Sequence, residues 1–313
     1  MREGELLQRI YARSADLPSL FPQVLVGPGD DCAVVAVGDG AILLKVDQVV
    51  EGRHFSSQTP VDLVARKAIA RAVSDIAAMA GRPSAAVVGA VLPPGFPQAG
   101  ADQLYDALLR WSSHFGCPLV GGDTAVFGAG PGGSLTLSVS IIGVPHRARG
   151  PVLRSGARVG DGVFVTGTIG GSLDHSGPFP GGGRHLTFEP RLREAAWLAD
   201  RLGSHLHAMM DVSDGLGIDA GRLAERSGVA VELEGQRVPL SKGCGDVLRA
   251  CADGEDYELL FTAPLHAGVP SEVAGTPVSL IGRVMEFCGG ARSVMVLDGR
   301  RVPADTMGWE HAG

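Results

Sequence analysis

The sequence predicts an α/β protein built of α+β layers, in which helices pack on one face of a sheet. Apolar β-rich runs alternate with segments whose apolar residues recur every three or four positions. The first half gives the order strand, strand, helix, strand, helix, strand, which suits such a layer. Because its 313 residues exceed the length of a typical single domain, we predict two domains.

The first half starts with an amphipathic helix at 3–13 and then turns to β structure. A turn and strand are predicted over Val24 to Val37, with a hairpin partner from Ala41 to Val50 across Gly38-Asp39-Gly40. The pattern becomes helical from Pro60 to Gly81, where proline suits the first turn and glycine the end. Further elements are a strand at 85–92, a helix at 98–115 and a strand at 134–142.

The stretch from Val144 to Gly156 is basic and rich in turn formers, so we place the domain boundary at Pro145, giving domains 1–145 and 146–313. Glycine and proline dominate Gly167 to Gly183, which predicts a flap that packs no core. Other predicted elements of this half are strands at 160–167, 208–212, 229–233, 277–284 and 293–297, a strand in GEDYELLFTA, and helices at 189–202, 216–226 and 246–251.

Charge and cysteine usage narrow the function classes. The formal net charge is −7 without a Lys/Arg cluster, which argues against a nucleic-acid or acidic-membrane partner. The 5 cysteines lack any CxxC spacing, so neither a disulfide framework nor a zinc site is indicated. Because the chain shows no apolar signal-peptide region and no membrane-length apolar run, we expect a cytoplasmic protein.

Carboxylates recur at the ends of apolar runs and beside glycines. These are Asp30 and Asp31 in GDD, Asp47, Asp75, Asp123 in GGDT, Asp211 and Asp214 in DVSDG, and Glu255 and Asp256 in GEDYE. Carboxylate and hydroxyl oxygens, without paired histidines or cysteines, favour Mg²⁺ over zinc or copper. Several such carboxylates imply several ions around a polyphosphate, so the residues predict a nucleoside triphosphate site.

The stretch KVDQVVEGRHF, Lys45 to Phe55, is the centre of this pattern. A strand ends near Asp47, and Glu51 and His54 follow in the next loop. Asp75 falls on the apolar seam of its predicted helix, where a carboxylate is costly unless it is paired or bound to metal.

Each motif also has a purely structural interpretation. GDD is a common turn, and the charges after Asp47 suit a solvated loop. GGDT suits a helix cap with Asp123 or Thr124 as N-cap, and DVSDG a cap with Ser213 or Asp214. We predict that His205 and His207 face solvent on an exposed edge rather than binding metal. A P-loop is excluded, because no GxxxxGK[ST] occurs.

Seven motifs follow one another along the chain: GDDCAVV, VDQVVEGRHF, ARAVSDIAAM, LVGGDT, RSGARVGDGVFVTG, MDVSDGLGID and GEDYELLFT. In this order they resemble the thiamine-monophosphate kinase family of the aminoimidazole-ribonucleotide-synthetase-like ATP-binding superfamily. The resemblance implies an N-terminal α/β domain whose sheet pairs with that of a second subunit, a C-terminal α/β domain, and an ATP site shared in a homodimer.

The resemblance assigns residues by motif. It implies the Mg²⁺ ligands Asp30, Asp47, Asp75, Asp123, Asp211 and Asp214. It implies ATP contacts at Tyr105, Gly121, Gly122, Arg154 and Ser213, and contacts to thiamine monophosphate at His54, Glu255 and Trp309. Asp47, Asp123 and Arg154 are the expected catalytic residues. Stacking of a cationic thiazolium on Trp309 is physically reasonable.

The implied reaction is phosphorylation of thiamine monophosphate by ATP with Mg²⁺, through direct in-line transfer to an anionic acceptor that needs no general base. Lys45 and Val46 stand where the family has small hydroxyl residues, so either one metal binds differently or Lys45 supplies a positive charge in its place. The glycine-rich flap is also shorter than in many relatives. The alternatives are another ATP-using member, such as aminoimidazole ribonucleotide synthetase or selenophosphate synthetase, and a non-catalytic binding protein.

Overall fold

A computed structural model describes residues 3–127, 133–174 and 182–309. The helices of these residues are α1 (Glu3–Ser14), α2 (Leu17–Leu20), α3 (Val61–Ala78), α4 (Gln98–His114), α5 (Leu192–Leu202), α6 (Leu216–Ser227) and α7 (Val247–Asp253). Throughout this part of the chain, every helix is too short or too polar to cross a membrane.

The strands form two sheets. Those of the first are β1 (Val24–Val26), β2 (Ala33–Val37), β3 (Gly40–Val50), β4 (Arg82–Leu92), β5 (Leu119–Val126) and β6 (Thr136–Val144). Those of the second are β7 (Asp161–Thr166), β8 (Ala208–Asp211), β9 (Ala230–Glu234), β10 (Leu259–Pro264), β11 (Glu272–Val273), β12 (Thr276–Met285), β13 (Ser293–Leu297) and β14 (Arg300–Pro303). The first sheet ends at Val144 and the second begins at Asp161, while the domain boundary at Pro145 stays a prediction.

The first sheet has the order β1-β2-β3-β6-β4-β5. Its predicted hairpin is confirmed, since β2 and β3 pair antiparallel with Val37 opposite Gly40. Helices α3 and α4 pack together against one face and close an apolar core that includes Val49, Ile69 and Leu104. The predicted layer of helices on one face of a sheet is therefore confirmed.

The other face of this sheet carries exposed apolar side chains. Leu44, Val46, Val87 and Ile142 are 44%, 57%, 41% and 38% exposed. They are neighbours, because Leu44 pairs with Ile142, and Val46 and Val87 both pair with Ser140. We call these four residues the open sheet face. A contiguous apolar patch of this kind marks an interaction surface more often than isolated apolar residues do.

The second sheet has the order β14-β13-β9-β12-β7-β10-β8, with β11 paired to β12. Successive residues of β10 pack into different cores, as expected for a strand that is covered on both faces. Leu260 lies in the same core as Leu216 of α6, whereas Phe261 lies in the same core as Leu198 of α5. This half is therefore a layered α/β unit with helices on both faces.

Helix α3 connects the two halves. Most of its residues are buried, including the polar Lys67, Ser74 and Asp75. It contacts β3 and β6 of the first sheet, and β8 and α5 of the second half. Because β8 ends at Asp211 and contacts α3, this packing brings the carboxylate of Asp211 close to that of Asp75.

The flap prediction for 167–183 is wrong for its first part. Ile169 and Ser172 are fully buried, and Ile169 belongs to the core beneath α6. The cause is the carboxylate of Asp256, which accepts hydrogen bonds from the Gly170 N–H at 3.0 Å and the Ser172 hydroxyl at 2.5 Å. Residues 175–181 of the predicted flap lie outside the described part.

Two further local expectations fail. GGDT is no helix cap, because Asp123 and Thr124 lie inside β5. His207 is not on an exposed edge: it is buried, with Nδ1 2.8 Å from the Asp161 carboxylate. His205 is exposed as predicted.

Candidate active site

Three carboxylates meet where α3 contacts β8. Asp31, Asp75 and Asp211 are buried, and each offers an oxygen within 4.8 Å of the others. Asp31 comes from the loop after β1, Asp75 from α3 and Asp211 from the end of β8. Within the described ranges no other group of three His, Cys, Asp or Glu side chains meets this spacing. We call these residues the carboxylate cluster.

The electrostatics of the carboxylate cluster favour a bound cation. Burial, reinforced by the charge of Asp31, raises the pKa of Asp211 to about 7. Burial likewise raises the pKa of Asp75 well above its usual value. Asp31 Oδ2 is buried without a hydrogen-bond partner among the described residues. Hard oxygen ligands with an unused acceptor are the chemistry that Mg²⁺ requires, so the residues present fit that ion.

Two basic residues border the carboxylate cluster. Lys45 Nζ lies 2.8 Å from Asp75 Oδ1, and Arg154 Nη2 donates to Asp31 Oδ1 at 2.5 Å. Burial opposes the charge of Lys45, but the carboxylates of Asp75 and Asp47 raise its pKa above the usual value. Lys45 therefore brings a positive charge to the predicted metal site, and Arg154 lies beside the same cluster.

The structure separates the two aspartates of GDD. Asp30 accepts backbone N–H groups, from Asp31 at 3.0 Å and from Arg154 at 3.2 Å, and its carboxylate is not part of the carboxylate cluster. Burial, with the nearby charge of Asp31, raises the pKa of Asp30 to about 7. The residue that sequence reasoning left out of the ligand set is Asp31, although the doublet had drawn attention to both.

Asp47 lies outside the carboxylate cluster but is close enough to Lys45 and Asp75 to influence their charge. Its Oδ2 is 3.5 Å from Nε of Arg71, whose Nη1 is 3.7 Å from Glu255 Oε1. Arg71 thus connects a predicted metal ligand to a predicted substrate contact.

Glu255 is held in a strained turn. Glu255 and Tyr257 have φ values of 59° and 52°, which are uncommon for residues other than glycine. Backbone bonds fix the turn to the DVSDG loop, with Glu255 N–H donating to Ser213 O at 2.7 Å and Tyr257 N–H to Val212 O at 2.8 Å. Burial opposes ionisation of Glu255, but Lys67 and Arg71 lower its pKa to about 2. Glu255 is therefore a permanent anion at this place.

The predicted substrate contacts share one small cavity. His54, Glu255 and Trp309 line it, together with Ser213, Asp214 and Arg71. The Trp309 side chain is 39% exposed, and its backbone N–H donates to Asp214 O at 2.8 Å. His54 Nδ1 accepts the Val50 N–H at 3.0 Å, so a neutral His54 ring carries its proton on Nε2. Ser213, predicted as an ATP contact, also lies here.

The DVSDG loop is organised by a residue that the sequence did not single out. Asp219 accepts the N–H groups of Ser213, Asp214 and Gly215 at 3.0, 3.0 and 3.2 Å. The alternative interpretation of DVSDG as a helix cap by Ser213 or Asp214 is wrong, because α6 begins after Gly215 without a side-chain cap. The Asp214 carboxylate instead pairs with Arg222, and its role as a metal ligand stays a prediction.

The predicted nucleotide contacts of the first half gather elsewhere. Tyr105, Gly121, Gly122 and Asp123 line a cleft of about 410 Å³ between α4 and β5. Asp123 accepts the Thr124 N–H at 2.9 Å. The structure brings these residues together, but not to the carboxylate cluster.

Register and alternation place Asp123 on the opposite face of the sheet from Asp47. Gln48 pairs with Ser138, Ser138 with Gly89, and Gly89 with Asp123. Residues in such a row point to one face, and neighbours along a strand point to the other. Asp123 therefore shares its face with the open sheet face, whereas Asp47 faces the covered side.

Sequence reasoning missed Lys67 and Arg71. Both lie on α3 at intervals of four residues before Asp75, so the three side chains share one helix face. This spacing of four residues is the sequence signal that could have identified Lys67 and Arg71 as neighbours of Asp75. His185, whose Nδ1 lies 2.7 Å from Lys67 Nζ, follows the predicted flap and carried no comparable signal.

Comparisons with known proteins agree with this architecture. The family model described as AIR synthase related protein, N-terminal domain, matches residues 29–145. The thiamine-monophosphate kinase of Rhodopirellula baltica is 36% identical over 86% of this chain and 86% of that protein. The thiamine-monophosphate kinase of Aquifex aeolicus is 32% identical over 90% of this chain and 92% of that protein.

A solved structure gives the same result in three dimensions. The chain is similar to AaThiL complexed with AMPPCP and TMP, with a TM-score of 0.78 and 30% identity. The match covers 100% of this chain and 99% of that one. Both halves of this chain, and not only the N-terminal half, therefore correspond to the solved structure.

Proposed function

Since this chain belongs to the thiamine-monophosphate kinase family, we propose that it transfers the terminal phosphoryl group of ATP to thiamine monophosphate, giving thiamine diphosphate and ADP. The relative solved with AMPPCP and TMP supports ATP as the phosphoryl donor.

One observation carries the proposal: the carboxylate cluster and the cavity of predicted substrate contacts adjoin through paired side chains. Asp75 and Asp47 influence the charge of Lys45 on one side, and Arg71 lies between Asp47 and Glu255 on the other. A site that binds a nucleotide and a second phosphate needs this succession of acidic and basic groups, because two polyanions must approach each other.

The residues of the chain then have defined tasks. Glu255 and Trp309 present an anion and an aromatic face to a cationic thiazolium, and His54 offers a ring N–H to the acceptor. Arg154, which donates a hydrogen bond to Asp31, would contact ATP phosphates. The acceptor phosphate is already anionic near neutral pH, so these residues orient the reactants and no side chain has to remove a proton.

Mg²⁺ completes the proposed site. Asp31, Asp75 and Asp211 would hold it, and the ligands implied by resemblance, Asp30, Asp47, Asp123 and Asp214, belong to the same proposal. The ion would neutralise phosphate oxygens as the phosphoryl group is transferred.

We further propose a homodimer joined through the open sheet face. Association would cover these four apolar residues, and Asp123 lies on the same face. A shared ATP site, as the resemblance implies, accounts for the separation of Asp123 from the carboxylate cluster. The cytoplasm is the proposed compartment, which suits the free thiols of all 5 cysteines.

The test is product formation with matched acceptors. The protein is incubated with ATP and Mg²⁺ plus either thiamine monophosphate or thiamine, and the products are separated by chromatography. We expect thiamine diphosphate from the first acceptor and no phosphorylated product from thiamine. Binding of thiamine monophosphate without any product would instead favour the non-catalytic alternative.

A further inference from the structure

Arg71 has side-chain donors that nothing in the described chain accepts. Its Nε and Nη1 are buried, and neither makes a hydrogen bond within 3–127, 133–174 and 182–309. Asp47 Oδ2 at 3.5 Å and Glu255 Oε1 at 3.7 Å are close enough for charge attraction but do not accept these N–H groups. Buried donors are nearly always satisfied in proteins, so two on one guanidinium indicate an acceptor other than the described residues, such as a bound ligand.

The neighbouring cation on α3 shows the contrast. Lys67 Nζ lies 2.8 Å from His54 O, 2.7 Å from His185 Nδ1 and 2.7 Å from Glu255 Oε2. These contacts account for the three donors of an ammonium group. Lys67 therefore has all its donors engaged by the protein, and its charge neutralises that of Glu255. Arg71, by contrast, keeps two N–H donors that no described residue accepts.

The position of Arg71 indicates which ligand it meets. It lines the cavity that contains His54, Ser213 and Trp309. Arg71 also pairs with Asp47, whose charge acts on Lys45 and Asp75 beside the carboxylate cluster. A planar guanidinium with two free donors suits the oxygens of a phosphate group better than a single ammonium does.

We propose that Arg71 donates Nε and Nη1 to the phosphate of the acceptor and thereby makes the site selective for thiamine monophosphate over thiamine. The identity of the ligand rests on the proposed function, whereas the phosphate preference rests on the unused donors. Arg71 is thus a specificity-determining residue that the resemblance did not assign.

The experiment compares the binding of two ligands that differ by the phosphate. Thiamine monophosphate and thiamine are titrated calorimetrically into the full chain without ATP, so that no turnover occurs. Arg71→Gln should weaken binding of thiamine monophosphate by ~10- to 100-fold, the usual effect of losing charge-assisted hydrogen bonds. Its affinity for thiamine should stay unchanged.

Arg237→Gln is the matched control. The Arg237 side chain is 52% exposed and pairs with Glu234 outside this cavity, so this variant removes an equal charge and should keep the phosphate preference. Arg71→Lys is a second variant for the case that Arg71→Gln does not fold, because lysine keeps the positive charge between Asp47 and Glu255. A lysine lacks the planar fork, and we expect it to lose most of the preference.

Some results would overturn the inference. Equal weakening of both ligands by Arg71→Gln, or a loss in Arg237→Gln as large as in Arg71→Gln, would show that Arg71 does not recognise the phosphate. The binding result for Arg71 and the product assay for the kinase activity can fail independently. An unchanged preference in Arg71→Gln, with thiamine diphosphate formed by the wild type, refutes only the role of Arg71. A lost preference without any product refutes only the kinase activity.

Discussion

Lys45 on β3 and Asp75 on α3 form an ion pair, with Nζ 2.8 Å from Oδ1. The pair joins β3, one of the two middle strands of the first sheet, to the helix that connects both halves. It also places a fixed positive charge against the carboxylate cluster, at the position where the family resemblance implies small hydroxyl residues. We therefore expect Lys45 to take over part of the neutralisation that a further cation would provide.

This role predicts a change in metal binding. Lys45→Met removes the charge but keeps the bulk, which leaves the carboxylate cluster more negative. We expect its affinity for Mn²⁺, measured by electron paramagnetic resonance, to rise about tenfold, the effect of ~1.4 kcal/mol of added attraction. The Tm of this variant should also gain more from the ion than that of the wild type.

Lys45→Arg is the control for that experiment, because it keeps a positive charge near Asp75 and should bind Mn²⁺ like the wild type. Equal or weaker Mn²⁺ binding by Lys45→Met would contradict the role assigned to Lys45.

The carboxylate cluster itself predicts a loss of turnover. Asp211→Asn removes a cation ligand and should lower kcat by ~100- to 1000-fold, as does removal of one electrostatic group from other active sites. Without metal, the variant should be at least as stable as the wild type, because burial already disfavours the charge of Asp211. Asp47→Asn and Asp123→Asn should also lower turnover by orders of magnitude with the fold intact.

Asp200→Asn is the matched substitution for this series, since the Asp200 side chain is 74% exposed and pairs with His146. It should leave kcat unchanged. Wild-type rates in Asp211→Asn at saturating Mg²⁺ would refute the assignment of the carboxylate cluster.

Asp256 predicts how stability depends on pH. Burial raises its pKa from 3.8 to about 7 in the folded protein. A raised carboxylate pKa means that the folded state binds the proton more tightly than the unfolded chain does. The contribution of Asp256 is therefore fully present below pH ~4 and is lost as the pH rises through about 7.

Urea unfolding of the wild type and Asp256→Asn, at several pH values and saturating Mg²⁺, isolates this effect. The free energy of unfolding of the wild type, relative to the variant, should fall between pH ~5 and pH ~7.5. A difference that stays constant or rises over that window would show that Asp256 keeps an ordinary pKa.

The open sheet face predicts the oligomeric state. Val46→Asp puts a charge in the middle of this face, and we expect sedimentation velocity to show monomers where the wild type forms dimers. Burying an unpaired carboxylate costs several kcal/mol, so the effect should be large. Val159→Asp, at a loop position 61% exposed, should leave the dimer intact. A monomeric wild type would exclude the proposed interface.

Much of the fold follows from local patterns in the sequence. The hairpin between β2 and β3 has its turn residues in the chain, and the helical period of α3 places Asp75 on a buried seam. The strand β5 was missed because its glycines and polar residues resemble a turn, while its pairing with β4 is a long-range contact that no local pattern reports. The burial of Ile169 was missed for the same reason, since Asp256 anchors that segment from far along the chain.

The site was only partly predictable. Recurring carboxylates identified Asp75 and Asp211, and motif resemblance grouped His54, Glu255 and Trp309, which the structure places in one cavity. The pairing of Lys45 with Asp75 and of Arg71 with Asp47 and Glu255 depends on how strand, helix and turn approach one another. Ion pairs between residues of different elements follow no fixed spacing along the chain, so the sequence does not reveal them.

The most direct test of the account follows the phosphoryl group itself. ATP labelled with ³²P in its terminal phosphate is incubated with Mg²⁺, thiamine monophosphate and the protein, and the labelled products are separated. We expect the label in thiamine diphosphate, in an amount equal to the ADP formed. Label found only in inorganic phosphate, with no labelled thiamine compound, would contradict the proposed transfer.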